Sequence, residues 1–295
     1  MRILLTGKHG QLGRCFYDVF LGTDPELFAY GSAELNITDA QQVADVVQQV
    51  KPDIIVNAAA YTAVDKAETD SDNAYLVNAT GPELLAKQAA DLDIPFVHVS
   101  TDYVFDGEAV EPYLPSDETN PQGVYGASKL AGERAVKATC EKYIILRTAW
   151  VFSEYGNNFV KTMVRLAKER DELSVVADQY GCPTYAGDLA KAILHICEQH
   201  EQNKPLAWGT YHYCGDTPTS WHGLARAIFA NAESLGVIDQ RPQLKAISSD
   251  QYPRPARRPA YSVMSTKELD DIGVDASSWN ASLTLVLSKL LVSSQ

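Results

Sequence analysis

No stretch of this 295-residue chain reaches the roughly 20 apolar residues that a membrane-spanning helix requires. Positive charge is also in short supply. Twenty-five Lys and Arg stand against 38 Asp and Glu, a formal net charge of −13. That balance speaks against nonspecific binding to nucleic acid or to an anionic membrane, while leaving room for a local basic pocket around a phosphorylated ligand. The five cysteines (15, 140, 182, 197 and 214) form no C-x-x-C pair and share no metal-ligand spacing with histidine, which excludes a disulfide framework and a zinc-type site. An odd, dispersed set reads as reduced thiols of the cytoplasm. Met1–Arg2 runs directly into Ile3–Leu4–Leu5 without the long apolar segment of a leader, in keeping with a cytoplasmic expectation. The Asn-x-Thr triplets at 36–38 and 78–80 therefore carry no glycosylation meaning. Internal repeats and low-complexity linkers are absent, and 45% hydrophobic residues exclude disorder of the whole chain.

What is present is an alternation. Arg2 to Thr6 is a β-type run, followed by the turn Gly7–Lys8–His9–Gly10–Gln11–Leu12–Gly13 and helix-spaced apolar positions at Cys15, Phe16, Val19 and Phe20. Strand, glycine turn and helix form the context in which such glycines permit a tight turn and close approach of a pyrophosphate to a helix N-terminus. The spacing here is G-x-x-G-x-x-G, and a purely structural strand–helix turn would look the same. A second strand, 27–30, ends at Gly31–Ser32, with no Asp or Glu to accept a ribose 2′-hydroxyl and no arginine to clamp a 2′-phosphate. Strands at 53–57, 95–99 and 143–147 follow, separated by helical patterns through Val50, from Glu68 to Asp93 and from Asn120 to Lys137. This predicts an α/β fold, a doubly wound parallel Rossmann sheet with a smaller C-terminal lobe. The dinucleotide-binding part spans 1–150; residues 151–295 form mainly the substrate lobe, with some segments returning to the sheet. Within the second part, helices are expected at 157–170, 188–199, 219–232 and 278–291, a strand at 173–177, and loops at 178–184 and 253–259, the latter with three arginines among prolines.

Two features bear on chemistry. Ser100–Thr101 stands at the end of an apolar run, so its hydroxyls face the ligand crevice at the carboxyl end of a parallel strand. Tyr125 and Lys129, four apart on a helix, share one face. An ammonium fixed beside a phenol favours the phenolate and makes the pair an acid/base for a carbonyl or alcohol. The same spacing describes two solvated helix-face residues. The glycine turn upstream decides between these readings in favour of a nicotinamide-dependent reductase.

The residues that carry a family resemblance are LLTGKHGQLG (4–13), VNAAAYTAVDKAE (56–68), STDYVFDG (100–107), VYGASKLAGE (124–133), RTAWVF (147–152), GNNFVKTM (156–163), DQYGCPT (178–184) and RPARRPAYS (254–262). Over nearly its full length the chain resembles the extended short-chain dehydrogenases/reductases, and within them the dTDP-4-dehydrorhamnose reductase family. The resemblance implies NADPH- or NADH-dependent reduction of the 4-keto group of dTDP-4-dehydro-L-rhamnose, with Tyr125 as proton donor. Lys129 would hold the nicotinamide ribose and lower the tyrosine's pKa, and Thr101 would hydrogen-bond the substrate carbonyl. Gly7, Gly10, Gln11, Leu12 and Gly13 would cradle the pyrophosphate, Ala60, Tyr61, Thr62 and Val99 would line the cofactor, and Asn36 and Ile37 would sit near the adenine. Trp150 would pack on the sugar, with Asp102, Asn158, Gln179 and Arg254 as further substrate contacts.

Some bacterial members of the family are described as Mg²⁺-dependent dimers with interface glutamates where this chain has Cys15 and Gly187. Neither supplies the oxygen ligands Mg²⁺ prefers. The expectation is a chain without that metal, a monomer or weak homodimer whose partner is a dTDP-sugar, with no nucleic-acid or membrane partner. Two rivals stand beside it: a reductase of another dTDP-deoxysugar, and a non-catalytic NADP-binding subunit resembling the methionine adenosyltransferase β subunit. A sugar-nucleotide dehydratase would carry a second carboxyl after Asp102, where Tyr103 stands.

Overall fold

Apolar runs punctuated by glycine, proline and capping residues fold as alternating strands and helices. The computed structural model describes residues 1–22, 25–202 and 204–292. Its first half contains β1 (Arg2–Thr6), α1 (Gln11–Phe20), β2 (Glu26–Tyr30), α2 (Ala40–Val50), β3 (Ile54–Asn57), α3 (Gly81–Asp91), β4 (Phe96–Thr101), α4 (Val124–Thr139) and β5 (Tyr143–Thr148). The second half adds α5 (Phe159–Glu169), β6 (Glu172–Val176), α6 (Ala186–Glu201), β7 (Gly209–His212), α7 (Trp221–Ser234), β8 (Gln243–Ile247) and α8 (Trp279–Val292). The last three residues of the expected C-terminal lobe, 293–295, lie outside the described residues.

One six-stranded sheet, ordered β7-β5-β4-β3-β1-β2 and parallel throughout, carries the molecule. Alternate strand residues divide into two cores, as the two-residue pleat requires. Ile3, Leu5, Ile54, Val56, Ile144 and Leu146 face α1, α6, α7 and α8. Leu4, Ile55, Phe96 and Ile145 face α2 and α3. Caps mark where helices begin. Asp39 accepts from the Gln41 and Gln42 N–H groups at 3.0 and 3.1 Å at the start of α2, and Ser220 accepts from Gly223 N–H at 3.0 Å at the start of α7.

The expected doubly wound parallel sheet is present. Its sixth strand, β7, comes from the second half, and α6 and α1 belong to the same core. The expected boundary at residue 150 thus falls between chain segments that share one core. The rest of the second half makes smaller pairs: β6 runs parallel to β8, and Tyr180–Gly181 pairs antiparallel with Thr219–Ser220, so the polar 178–184 stretch is part strand where a loop was expected.

The helix expected over 68–93 runs without a gap from Ser71 to Asp91, with a π-helical turn, Leu76–Thr80, between its first turn Ser71–Tyr75 and α3; a separate short helix, Val64–Ala67, precedes it. A π turn places an extra residue in the ladder, and Asn78 within it is fully buried. α4 begins at Val124, later than expected, because Pro121 and Gly123 precede it; the Glu68 carboxylate accepts from its first N–H at 2.9 Å.

Candidate active site

Strand register collects polar side chains at one edge of the sheet. Thr6 stands beside Asn57 and Asn57 beside His98, while Ser100 and Thr101 stand beside Arg147 and Thr148. This is the carboxyl edge, where open parallel sheets bind their ligands.

After β1 the chain turns through Gly7 at φ +78, where a Cβ would lie 2.7 Å from the Ala58 backbone, so only glycine is accommodated. Gly10 N–H donates to the Gly7 carbonyl at 3.0 Å. α1 then starts without a capping side chain, which leaves its first N–H groups available to an anion. Leu12 and Gly13 are buried under the turn. The Gln11 side-chain Oε1 accepts from Ser153 Oγ at 3.0 Å and from Asn158 Nδ2 at 2.9 Å. Asn158 also caps α5 through Lys161 N–H at 3.1 Å. The structure therefore ties Asn158 to the glycine turn.

Beyond β3, Asn57 Oδ1 holds Ala59 N–H at 3.1 Å, and Asn78 clamps Tyr61 through its N–H (2.8 Å) and carbonyl (3.1 Å). The Tyr61 hydroxyl donates to Asp70 at 3.0 Å. Ala60 is half-buried and Thr62 exposed along the same segment. Ile37 is buried against Gly81, and exposed Asn36 forms a local turn with Thr38 N–H at 3.1 Å.

At the end of β4, Thr101 Oγ1 donates to Asp102 Oδ1 at 3.0 Å and faces the Tyr125 phenol. The Tyr103 ring meets the Tyr125 ring edge-on, centroids 5.5 Å apart at 75°. Burial, then the nearby Asp102 carboxylate, raises the Tyr125 pKa well above that of a free phenol, so Tyr125 keeps its proton at neutral pH. The expected lowering by Lys129 is not found: Lys129 Nζ donates instead to the Val99 carbonyl at 2.7 Å, and burial pushes its pKa down to about 8. His98 stands behind it. Asn57 Oδ1 is committed to Ala59 N–H, so Asn57 Nδ2 donates to His98 Nδ1 at 3.0 Å, which places the proton of neutral His98 on Nε2, 3.4 Å from Lys129 Nζ. Burial, reinforced by the Lys129 charge, holds His98 well below its ordinary pKa.

Asp102 is buried, its Oδ2 lacks a hydrogen-bond partner, and burial raises its pKa to about 6. Ser262 faces the same carboxyl and also packs, with the Trp150 ring, against Gly181, where a Cβ would lie 2.6 Å from the indole. Trp150 thus reaches the Thr101–Asp102 end of the site. Its backbone is left-handed at φ +50, a strained conformation for a bulky residue, and its ring stacks on Trp221 at 3.5 Å and 6°. Gln179 is buried in the adjoining segment. Arg254 is exposed and packs over Tyr252 at 4.3 Å. The arginine brought to the tyrosine pair is Arg258, which donates to Tyr103 Oη at 2.8 Å and pairs with Asp65 at 2.8 Å.

The family described as RmlD substrate binding domain matches residues 1–292. The chain belongs to that family. A dTDP-4-dehydrorhamnose reductase of Aggregatibacter actinomycetemcomitans is 44% identical over 284 residues, 96% of this chain and 97% of that protein. The crystal structure of a dTDP-4-dehydrorhamnose reductase from Clostridium acetobutylicum superposes with a TM-score of 0.91 at 42% identity, covering 99% of this chain and 100% of that one. That of the Bacillus anthracis enzyme in complex with NADP gives 0.90 at 38% identity, covering 98% and 99%. The resemblance read from the eight sequence blocks is thereby established at the level of family.

For this RmlD-family member the glycine turn, the uncapped α1 and the half-buried Tyr125 beside buried Thr101 and Lys129 fit a nicotinamide dinucleotide. Cys15 is buried in α1, and Gly187 packs against the Tyr185 ring. Asp188 accepts from Ser277 and Ser282 at 2.8 and 2.7 Å. Among the described residues no group of three or more His, Cys, Asp and Glu is placed to hold a metal ion, and no helix is long and apolar enough to cross a membrane. Trp221, Arg258 and His98 join the site although none is among the residues its motifs single out. Trp221 begins a helix behind the N-cap Ser220 and Arg258 lies in the arginine–proline run, so each had a local signal of structure. Their contacts to Trp150, Tyr103 and Lys129 are all long-range and had none.

Proposed function

We propose that this protein reduces the 4-keto group of dTDP-4-dehydro-L-rhamnose to give dTDP-L-rhamnose, as a cytoplasmic NADPH-dependent oxidoreductase. The observation that carries the reading is the meeting of Thr101, Tyr125 and Lys129 at the carboxyl edge of the sheet, with Lys129 held on the Val99 carbonyl, at the sheet edge that the glycine turn also borders.

Tyr125, protonated at neutral pH, gives its proton to the carbonyl oxygen of the sugar as that oxygen gains charge. Thr101 Oγ1, whose proton rests on Asp102 in the free site, turns that proton to the same oxygen and orients it. The buried Lys129 ammonium offsets the phenolate left on Tyr125 and, with Val99, Ala60, Tyr61 and Thr62, would hold the dinucleotide. Gly7, Gly10, Gln11, Leu12 and Gly13 would hold its pyrophosphate, with Asn36 and Ile37 toward the adenine. What the bound nicotinamide supplies is a hydride for the sugar's carbonyl carbon. Trp150 offers its indole to the sugar. Asp102 and Gln179 are placed for polar substrate contacts, and Arg258 stands nearer the tyrosine pair than Arg254. Asn158 acts on the substrate side only through Gln11 and α5.

The test mixes purified protein with NADPH or NADH and dTDP-4-dehydro-L-rhamnose while following the reduced-nicotinamide absorbance. Sugar-dependent oxidation that yields dTDP-L-rhamnose supports the reading. Cofactor binding without oxidation overturns it.

A further inference from the structure

The carboxyl end of β2 is where an acidic side chain receives the adenosine ribose 2′-hydroxyl and where basic side chains receive a 2′-phosphate. Gly31 and Ser32 occupy that place in the sequence, and neither carries a carboxylate or a positive charge. The fold supplies what the local sequence lacks. The chain turns back at Gly31, whose carbonyl accepts from Glu34 N–H at 3.0 Å and Leu35 N–H at 2.9 Å. This turn returns the Glu34 carboxylate to the strand end, where Oε2 accepts from Gly31 N–H at 2.9 Å. Its Oε1 takes the ammonium of Lys8, which comes from the glycine turn. The Lys8 N–H in turn donates to the Tyr30 carbonyl at 3.1 Å, locking that turn to the end of β2. The neighbouring His9 ring lies over Gly31, where a Cβ would stand 2.5 Å from it. An acid and two basic side chains therefore meet at one strand end, beside an open concavity of about 430 Å³ that Lys8, His9, Arg14 and Ala29 help to line.

The Lys8–Glu34 pair is open to solvent, with side-chain exposures of 27% and 47%. Exposed ion pairs of this kind exchange partners at little cost. A phosphate dianion is the stronger partner for an ammonium, since its charge-assisted bonds are short and several oxygens accept. The Glu34 carboxyl is held below the usual carboxylate range by the Lys8 and Gly31 bonds, so it is an acceptor throughout the neutral range.

We propose that the Lys8–Glu34 pair selects between the two nicotinamide dinucleotides. Lys8, with His9 beside it, receives the 2′-phosphate of NADPH by exchanging out of its bond to Glu34; Glu34 accepts the 2′-hydroxyl of NADH and opposes the phosphate. The inference rests on reading the glycine turn as a dinucleotide site and extends it to specificity.

Direct binding of NADPH and of NADH to the full chain, followed by nicotinamide fluorescence, tests it. Lys8→Ala weakens NADPH by about tenfold or more, the worth of a hydrogen bond to a charged group, and leaves NADH unchanged. Lys8→Arg restores NADPH binding. Glu34→Gln tightens NADPH and weakens NADH. Equal weakening of both dinucleotides by Lys8→Ala, or no response of either, overturns the assignment and shows Lys8 to be a support of the turn. Failure of sugar reduction with the NADPH-selective response intact strikes only the reductase reading.

Discussion

At the scale of single residues, burial decides protonation at this site more than pairing does. Tyr125 is surrounded by Thr101, Asp102 and Tyr103, so its phenol stays protonated and is a donor by default. Tyr125→Phe is expected to lower sugar-dependent NADPH oxidation by about a hundredfold or more, the usual worth of a positioned general acid, while fluorescence titration shows NADPH still bound. Near-normal turnover would remove the tyrosine from the reaction. Asp102 yields a second prediction, in stability. Its folded pKa of about 6 lies above that of a free aspartate, about 3.9. Below that lower value both folded and unfolded states carry the proton and the group costs nothing. As pH rises through the window up to about 6, the unfolded state releases its proton first, so stability falls, and above the window the cost is constant. Asp102→Asn is expected to be more stable than the parent at neutral pH by about 3 kcal/mol, with the gain vanishing near the lower end of the window. Urea midpoints at both ends measure it; a gain independent of pH would mean that the carboxyl is not the cause.

At the scale of elements, the π turn is the piece on which the cofactor segment hangs. Asn78 is swung inside by that turn, and its amide holds the Tyr61 N–H and carbonyl while donating to Ser128 Oγ at 3.0 Å. One side chain thus joins the segment after β3 to the helix bearing Tyr125 and Lys129. Asn78→Ala leaves two or three buried polar groups without partners, each worth about 1–3 kcal/mol. The expected result is a clear fall in unfolding midpoint together with weaker NADPH binding. An unchanged midpoint would show that water replaces the amide at no cost. The strand β5 plays a comparable part. Arg147 on β5 makes bidentate bonds of 2.9 and 2.7 Å to Glu133 on α4, both side chains buried, and the same strand leads into the strained backbone of Trp150.

At the scale of the whole molecule, the two halves are interleaved. β7 completes the sheet beside β5, and the core on the α1 face takes Leu189, Ile193, Leu224, Ile228 and Leu283 from the second half. A fragment of residues 1–150 would expose that face of its sheet and leave β5 as an unpaired edge. It is expected to show no cooperative urea transition and no NADPH binding, whereas the full chain unfolds with coincident transitions by circular dichroism and fluorescence. A fragment that unfolds cooperatively and binds NADPH would establish residues 1–150 as an independent unit.

The sequence by itself determined the parallel α/β sheet, the glycine turn before α1, the placing of Thr101 at a strand end and of Tyr125 and Lys129 on one helix. These depend on the local periods of strand and helix and on the conformations open to glycine, which act between residues near in the chain. Only the tertiary structure decided the partners. The return of Glu34 to the end of β2, the aiming of Lys129 at Val99 and His98, the Trp150–Trp221 stack and the choice of Arg258 over Arg254 all join segments set side by side by packing. The π turn within the 68–93 helical pattern belongs with them, because a buried Asn78 answers to Tyr61 and Ser128, residues its own helical period does not reach. Protonation is decided at the same level, since how much solvent a carboxyl, phenol or ammonium loses is fixed by the chains folded around it.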